Sequence, residues 1–164
     1  MHGSSSGTGS AHDSPPRSPR RLVGDTEAVL TVENLGAWRD LPAHGRWLYV
    51  YVPGWNTTPV RQLLASLPAV PVVHFGDLDP NGFRIYRHLR EYVPDLAWLV
   101  PEFWGELVAM HAQKRDWPED LDLTGTPELV PALARQSLWL EQERLVLDPR
   151  LGAALESAAQ AESP

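Results

Sequence analysis

Two aspartates separated by one leucine, Asp77 and Asp79, lie within residues 72–89, which read VVHFGDLDPNGFRIYRHL. An apolar run precedes them and a segment with helical spacing follows. In an extended segment residues i and i+2 point the same way, so the two carboxylates can face one hard cation. Mg²⁺ prefers a few carboxylates together with waters and phosphate oxygens of a substrate. The spacing therefore indicates a metal site that acts on phosphate esters.

A calcium loop is one alternative interpretation of this segment. From Asp77 onward the pattern DxDxNG matches the first half of an EF-hand loop. The twelfth position, however, is His88, where a bidentate glutamate is needed. An EF-hand loop also follows a helix, whereas residues 70–75 are short and β-branched. The flanks and the missing glutamate argue against calcium.

A purely structural role is the second alternative. Asp79 would cap the following helix, and Pro80 would occupy its first turn. This interpretation leaves Asp77 and the two flanking glycines, Gly76 and Gly82, without a purpose. In the metal interpretation the glycines let the backbone bend closely around the cation.

Further acids could complete the site. Glu33 ends the β-branched run at residues 28–33, and it becomes a third ligand if that strand lies beside the strand before Asp77. Such a trio can bind one ion or two and stabilise charge on a phosphodiester. Glu141 and Glu143 either join the site or lie on a surface helix, and Glu143 is the candidate additional acid.

The elements around these acids alternate between strand and helix. A helix is expected after each of the second, third and fourth strands, the first of these with Thr58 as N-cap and Pro59 in its first turn. Short crossovers of this kind indicate an α/β fold with a mainly parallel four-stranded sheet, flanked by helices and followed by a C-terminal helical extension. The predicted strands are 28–33, 46–52, 70–75 and 96–100, and the predicted helices are 58–67, 81–92, 101–110, 128–135, 138–144 and 149–160.

In such sheets functional groups collect just beyond the carboxyl ends of the strands. The polar stretches of this chain follow three predicted strands, and Gly54 is expected to form the turn after the second. Three arginines nearby, Arg61, Arg84 and Arg87, are candidates for contacts with a DNA backbone, although a solvated helix face is the usual role of such residues. His74 lies inside a predicted strand and is expected to pack there.

The whole chain of 164 residues suggests one ordinary domain. Residues 1–24 are rich in Ser, Gly and Pro and are predicted to be a disordered leader or linker. The main domain is expected at 25–147, and a C-terminal helix and tail at 148–164. A net charge of −7 argues against a protein that coats nucleic acid indiscriminately. The absence of cysteine and of a long apolar run fits a cytoplasmic protein without a membrane span.

The order of these motifs resembles a TOPRIM domain, and within that group the topoisomerase VI A-subunit branch. The matching segments are VEN ending at Asn34, PGWNTTPVRQLL at 53–64 and GDLDPNGFRI at 76–85. The opening VENL, the form HFGDLDPNG and the late WLEQE at 139–143 look most like the C-terminal domain of JetD, the nuclease subunit of Wadjet anti-plasmid systems. The resemblance covers roughly residues 28–147.

The resemblance implies a TOPRIM nuclease in which Glu33, Asp77 and Asp79 bind Mg²⁺, with Mn²⁺ as a substitute, and cleave double-stranded plasmid DNA. It implies a condensin-like SMC–kleisin complex as partner and makes a homodimer plausible. Full-length members carry a winged-helix-type module before this domain, so the chain is expected to be an isolated catalytic domain or a reduced homologue. The nucleophile would be a metal-activated water, or a tyrosine from that other module.

Two other functions fit the same residues. The acids could hold a structural ion in a non-catalytic module that docks partner proteins or DNA. Alternatively, the domain could cleave structured RNA, as TOPRIM maturases do. The docking module predicts that charge-neutral changes at the acids leave defence intact, and the maturase predicts indifference to plasmid DNA.

Overall fold

Four parallel strands form the main sheet of the computed structural model, which describes residues 26–43 and 45–161. They lie in the order β2-β1-β3-β4 and pair in parallel throughout, which confirms the predicted α/β fold. The predicted leader at 1–24 lies outside the described residues. The strands are β1 (Ala28–Val32), β2 (Trp47–Tyr51), β3 (Val72–Phe75) and β4 (Ala97–Trp98).

The two central strands are buried along their whole length, so both faces of the sheet are covered there. Every residue of β1, AVLTV, and of β3, VVHF, is buried. Continuous apolar runs of this kind are typical of parallel strands, whereas strands with one wet face alternate. The central pair is therefore tightly packed, and this packing fixes where the residues directly after β1 and β3 lie.

Seven helices surround the sheet within the described residues. The helix after β1 contacts both β1 and β2, and the last helix contacts β3, which confirms the C-terminal helix. Gly54 has a φ of +57° in the turn after β2, the conformation that glycine adopts most readily. The helices are α1 (Leu35–Asp40), α2 (Thr58–Ser66), α3 (Pro80–Arg90), α4 (Trp104–His111), α5 (Leu129–Arg135), α6 (Gln142–Leu145) and α7 (Leu151–Ala161).

The predicted helix at 138–144 is wrong in its first half. Leu138–Trp139 is strand β6, which pairs antiparallel with β5 (Gln113–Lys114), and helix α6 begins only at Gln142. Ser137 has a φ of 51°, so the chain turns sharply after α5 and enters an extended conformation. A short apolar run such as LWL fits a strand or a helix equally well, and tertiary pairing decides between them.

Helix starts also differ from expectation. Thr57, rather than Thr58, occupies the N-cap position of α2, and it makes no side-chain cap bond to the described residues. Pro59 lies in the first turn, as predicted. Helix α1 was not predicted, because LGAWRD is only six residues long and carries no helical periodicity that stands out. No helix in the described part of the chain is long and apolar enough to cross a membrane.

Candidate metal centre

The carboxyl ends of β1 and β3 bring Glu33 and Asp77 to one edge of the sheet. The two strands are neighbours, with Val32 opposite Phe75, and the backbone N–H of Glu33 donates to the Phe75 carbonyl at 3.2 Å. Glu33 follows β1 directly, and Asp77 comes two residues after β3. The condition under which Glu33 could be a third acid, adjacency of the two strands, is therefore met.

Glu33 is a buried carboxyl group at this edge. Its side chain is 7% exposed, its carboxylate accepts the backbone N–H of Asp77, and Oε2 has no hydrogen-bond partner among the described residues. Burial, followed by the negative charges of Asp77 and Asp79, raises the pKa of Glu33 to about 8. A charge here lacks compensation, which is the situation that a bound cation relieves.

Asp77 is held by a distant backbone group. Its Oδ1 accepts the N–H of Gln142 at 2.6 Å. Burial raises the pKa of Asp77 to about 6, the hydrogen bond from Gln142 opposes this, and the negative charges of Asp79, Glu143 and Glu141 add to it. Asp77 therefore lies in a cluster of carboxylates rather than beside a basic side chain.

Asp79 caps helix α3, as the structural interpretation predicts. Its Oδ1 accepts the N–H of Gly82 at 2.7 Å, and Pro80 occupies the first turn. Burial raises the pKa of Asp79, while hydrogen bonds from the backbone and the positive charge of Arg115 oppose the increase. The segment before it is strand β3, so the calcium-loop interpretation fails on its flank.

Gly82 is required by the way α3 packs against the loop before it. A Cβ built on Gly82 would lie 2.1 Å from the carbonyl oxygen of Asp77, far inside a normal contact. The absence of a side chain therefore lets the first turn of the helix lie directly on the Asp77 backbone. The predicted need for glycine at this turn has a clear steric cause.

The WLEQE segment joins the site through a two-way backbone bridge. The N–H of Leu78 donates to the Leu140 carbonyl at 2.9 Å, and the N–H of Leu140 donates to the Leu78 carbonyl at 3.2 Å. The bridge places Glu141 near both aspartates, where it raises the pKa of each. Glu143 is exposed and accepts a hydrogen bond from Nδ2 of Asn34 at 2.5 Å.

Gln142 is a site residue that sequence analysis missed. It is fully buried, its Oε1 accepts the N–H of Asn34 at 2.8 Å, and its Nε2 donates to the Phe75 carbonyl at 2.6 Å. One side chain thus ties the residue after Glu33 to the end of β3. Nothing local marks this role, because it depends on a segment more than 60 residues away in the chain.

The donor set suits a hard divalent cation, although the side chains do not converge on a common point. The acids at this edge are Glu33, Asp77, Asp79, Glu141 and Glu143, which offer only carboxylate oxygens. Within the described residues no three His, Asp or Glu side chains form a ready ligand cluster. One carboxylate oxygen of Asp77 and one of Asp79 already accept a backbone N–H. Oε2 of Glu33 faces His74 rather than the two aspartates. Small side-chain rotations would be needed to gather the remaining oxygens.

The predicted DNA-contacting arginines divide into two groups. The guanidinium of Arg61 lies over the Tyr92 ring at 4.6 Å. Tyr92 follows the end of α3 opposite Asp79, and the helix is about 16 Å long, so the structure does not bring Arg61 to the acids. Arg84 and Arg87 are exposed on α3.

Arg115 is an arginine near the acids that was not predicted. Its positive charge lowers the pKa of Asp79, and its guanidinium lies over the Trp139 ring at 5.0 Å.

Comparison with known proteins places the chain in a family. The family described as Wadjet protein JetD, C-terminal, matches residues 5–153. A Wadjet protein JetD of Bacillus cereus (strain Q1) is 30% identical over 71 residues, and the match covers 39% of this chain and 17% of that protein. The aligned part is therefore a small fraction of that relative. The family match covers most of the length of this chain. The chain therefore belongs to the family of the C-terminal domain of the Wadjet protein JetD.

Proposed function

We propose that this chain is a TOPRIM-type, Mg²⁺-dependent endonuclease domain that cleaves plasmid DNA in Wadjet defence. The observation that carries the proposal is the meeting of Glu33, Asp77 and Asp79 at the carboxyl ends of β1 and β3, with the pKa of all three raised. Buried acids with mutually raised pKa values are characteristic of functional sites. Membership of the JetD family supports a role in Wadjet defence, and DNA is the substrate that the sequence resemblance implies.

Asp77 and Asp79 would hold the cation, Mg²⁺ or Mn²⁺, through the oxygens that are not bound to the backbone, and Glu33 through a free lone pair of its carboxylate. When bound, the cation would offset negative charge on the phosphodiester and lower the pKa of a coordinated water. The N–H groups of Gln142 and Gly82 fix the orientation of Asp77 and Asp79. Carboxylates fixed in advance lose little side-chain entropy when they bind a cation.

The DNA backbone would be met by exposed arginines around this edge. Arg84 lies near the start of α3, close to the acids in sequence, and Arg115 acts on Asp79 from the position directly after β5. Contacts of this kind position a duplex without reading its sequence. A condensin-like SMC–kleisin complex would present the DNA, and a homodimer would place two such sites on one duplex.

A cation titration tests the metal site directly. Calorimetry with Mn²⁺ and Mg²⁺ would compare the unaltered chain with Asp77→Asn, Glu33→Gln and a control, Glu119→Gln, at an exposed position. We expect binding that both site substitutions abolish and that the control retains. Binding that neither site substitution affects, or no binding at millimolar metal, would overturn the proposal.

Plasmid cleavage tests the reaction. The chain would be combined with its condensin-like partners, and the loss of supercoiled plasmid would be followed on gels. We expect cleavage that needs Mg²⁺ and disappears in Asp77→Asn. Cleavage of structured RNA with plasmid DNA left intact would favour the maturase instead.

A docking module is the second candidate, and one observation favours it. Asp77 and Asp79 already have backbone donors, and no ready ligand cluster exists in the described part of the chain. In this alternative the acids stabilise turns and the domain only binds its partners. Asp77→Asn and Glu33→Gln would then leave both complex assembly and plasmid defence unchanged.

A further inference from the structure

A buried histidine faces Glu33 from inside the sheet. His74 lies on β3 and is fully buried, and its Nε2 is 3.8 Å from Oε2 of Glu33. Neither atom has a hydrogen-bond partner among the described residues. Burial lowers the pKa of His74, which favours a neutral ring over an ion pair with Glu33. Buried polar atoms without partners are uncommon and call for an explanation.

Gly76 keeps the space between these two atoms open. A Cβ built on Gly76 would lie 2.6 Å from Glu33 Oε2 and also 2.6 Å from His74 Nε2. Any other residue would push the carboxylate and the imidazole apart. The glycine before Asp77 is thus needed for the approach of Glu33 to His74.

The imidazole ring is fixed on its other sides. Its Nδ1 lies 3.0 Å from Oγ1 of Thr31, and the Tyr86 ring stacks on it with centroids 6.1 Å apart. Both contacts oppose rotation of the ring away from Glu33. A hydrogen bond with Nε2 would therefore form by movement of the Glu33 side chain.

The Thr31 hydroxyl is linked to the tautomer of the ring. It can donate to the Val73 carbonyl at 3.3 Å and accept from Nδ1–H, or it can donate to Nδ1 at 3.0 Å. When the hydroxyl donates to Nδ1, the neutral ring carries its proton on Nε2. That N–H then points toward the Glu33 carboxylate.

We propose that His74 is a positioning residue, whose Nε2–H donates to Oε2 of Glu33 and thereby turns the other carboxylate oxygen toward the cation. This inference rests on the proposed metal site. The move from 3.8 Å to a hydrogen-bond distance requires an approach of about 1 Å. Partners of this kind orient metal ligands, and losing them weakens metal binding by about 10-fold to 100-fold.

Two substitutions separate this role from simple packing. In His74→Gln the side-chain amide nitrogen takes the place of Nε2, whereas in His74→Asn it takes the place of Nδ1. We expect His74→Gln to keep the Mn²⁺ dissociation constant within about threefold, and His74→Asn to raise it by about 10-fold or more. Thermal unfolding of both variants would confirm that they fold. Equal losses in the two variants, or a larger loss in His74→Gln, would overturn the role of His74.

A tautomer measurement distinguishes failure of this inference from failure of the metal site. Imidazole ¹⁵N shifts of His74 in the metal-free chain would be recorded at about pH 9, where Glu33 is ionised. If the unaltered chain binds no cation, the proposed function fails, and the shifts still test the hydrogen bond. A proton on Nε2 supports the pairing, and a proton on Nδ1 overturns it.

Discussion

The backbone N–H of Gln142 donates to Oδ1 of Asp77 at 2.6 Å, across 65 residues of sequence. The side chain of the same glutamine bonds the N–H of Asn34 and the carbonyl of Phe75, so it also links the ends of β1 and β3. Three hydrogen bonds from one buried residue therefore set the separation of Glu33 and Asp77. The late EQE segment therefore belongs to the site framework through Gln142, while Glu143 is exposed on helix α6.

Replacing this glutamine tests the framework. Gln142→Met keeps most of the volume but leaves the Asn34 N–H and the Phe75 carbonyl without partners. We expect the free energy of unfolding to fall by about 2–4 kcal/mol, because each unsatisfied buried group costs about 1–3 kcal/mol. Urea denaturation would measure it, with Gln62→Met at an exposed position of α2 as control. Equal effects in the two variants would contradict the proposed role of Gln142.

The stability of the metal-free chain should depend on pH through Glu33. Its folded pKa of about 8 lies above the ordinary value of 4.5, so the folded state holds a proton that the unfolded state has lost. The contribution of Glu33 to stability is therefore greatest at low pH and decreases as the pH rises toward 8. The decrease is at most about 1.4 kcal/mol per pH unit for one group. Thermal unfolding between pH 6.5 and 8 would show a falling melting temperature.

The pH window is chosen so that other groups do not obscure the effect. His74 has a lowered pKa, so its contribution is lost only as the pH falls below 6.5, and that of Asp77 changes below about 6. Glu33→Gln should remove the dependence, and Glu119→Gln should preserve it. A melting temperature that stays constant in the unaltered chain would show that Glu33 is ionised throughout.

Asp79 has two roles that substitution can separate. Asparagine is as good an N-cap as aspartate, whereas alanine loses the bond to the Gly82 N–H at a cost of about 1 kcal/mol. We expect Asp79→Asn to keep the stability of the chain but to lose cation binding, and Asp79→Ala to lose both. Chemical denaturation and Mn²⁺ calorimetry measure the two properties. Full cation affinity in Asp79→Asn would remove Asp79 from the ligand set.

Arg115 should act on cation and DNA in opposite directions. Its positive charge lowers the pKa of Asp79, so it repels a cation at the site while attracting a phosphate. We expect Arg115→Gln to tighten Mn²⁺ binding by about threefold and to weaken retention of duplex DNA. The control is Arg90→Gln at the far end of α3, where the guanidinium bonds the Pro94 carbonyl. Weaker cation binding in Arg115→Gln would indicate that Arg115 only supports the fold.

The parts of the site that follow directly from a strand or a helix cap were predictable from sequence. Glu33 and Asp77 terminate runs whose composition identifies them as buried parallel strands, and Asp79-Pro80 carries a local capping signal. The sheet order then brings these residues together, because the carboxyl ends of parallel neighbours share one edge. No long-range information beyond the adjacency of β1 and β3 was needed.

The remaining parts depend on contacts between distant segments. Gln142 joins the site through the bridge between Leu78 and Leu140, and Arg115 joins it through the pairing of β5 with β6. Residue spacing reveals neither contact. Arg61 is a different case. Arg61 lies in α2, which starts beyond the carboxyl end of β2, at the same edge of the sheet as the acids. Its guanidinium, however, lies over the ring of Tyr92, past the opposite end of α3 from Asp79. Proximity in sequence to a motif does not fix the direction of a long side chain.

Gly82 offers a steric test of how tightly α3 rests on the Asp77 loop. In Gly82→Ala the new Cβ would lie 2.1 Å from the Asp77 carbonyl oxygen, so the helix start must move. We expect a loss of about 2–4 kcal/mol in unfolding free energy and weaker Mn²⁺ binding, because Asp77 moves with the loop. In the control Gly152→Ala, no described atom lies within 4 Å of the added Cβ, so stability should rise by about 0.5 kcal/mol. Urea denaturation of the pair measures both, and a loss in Gly82→Ala below about 0.5 kcal/mol would refute the close approach.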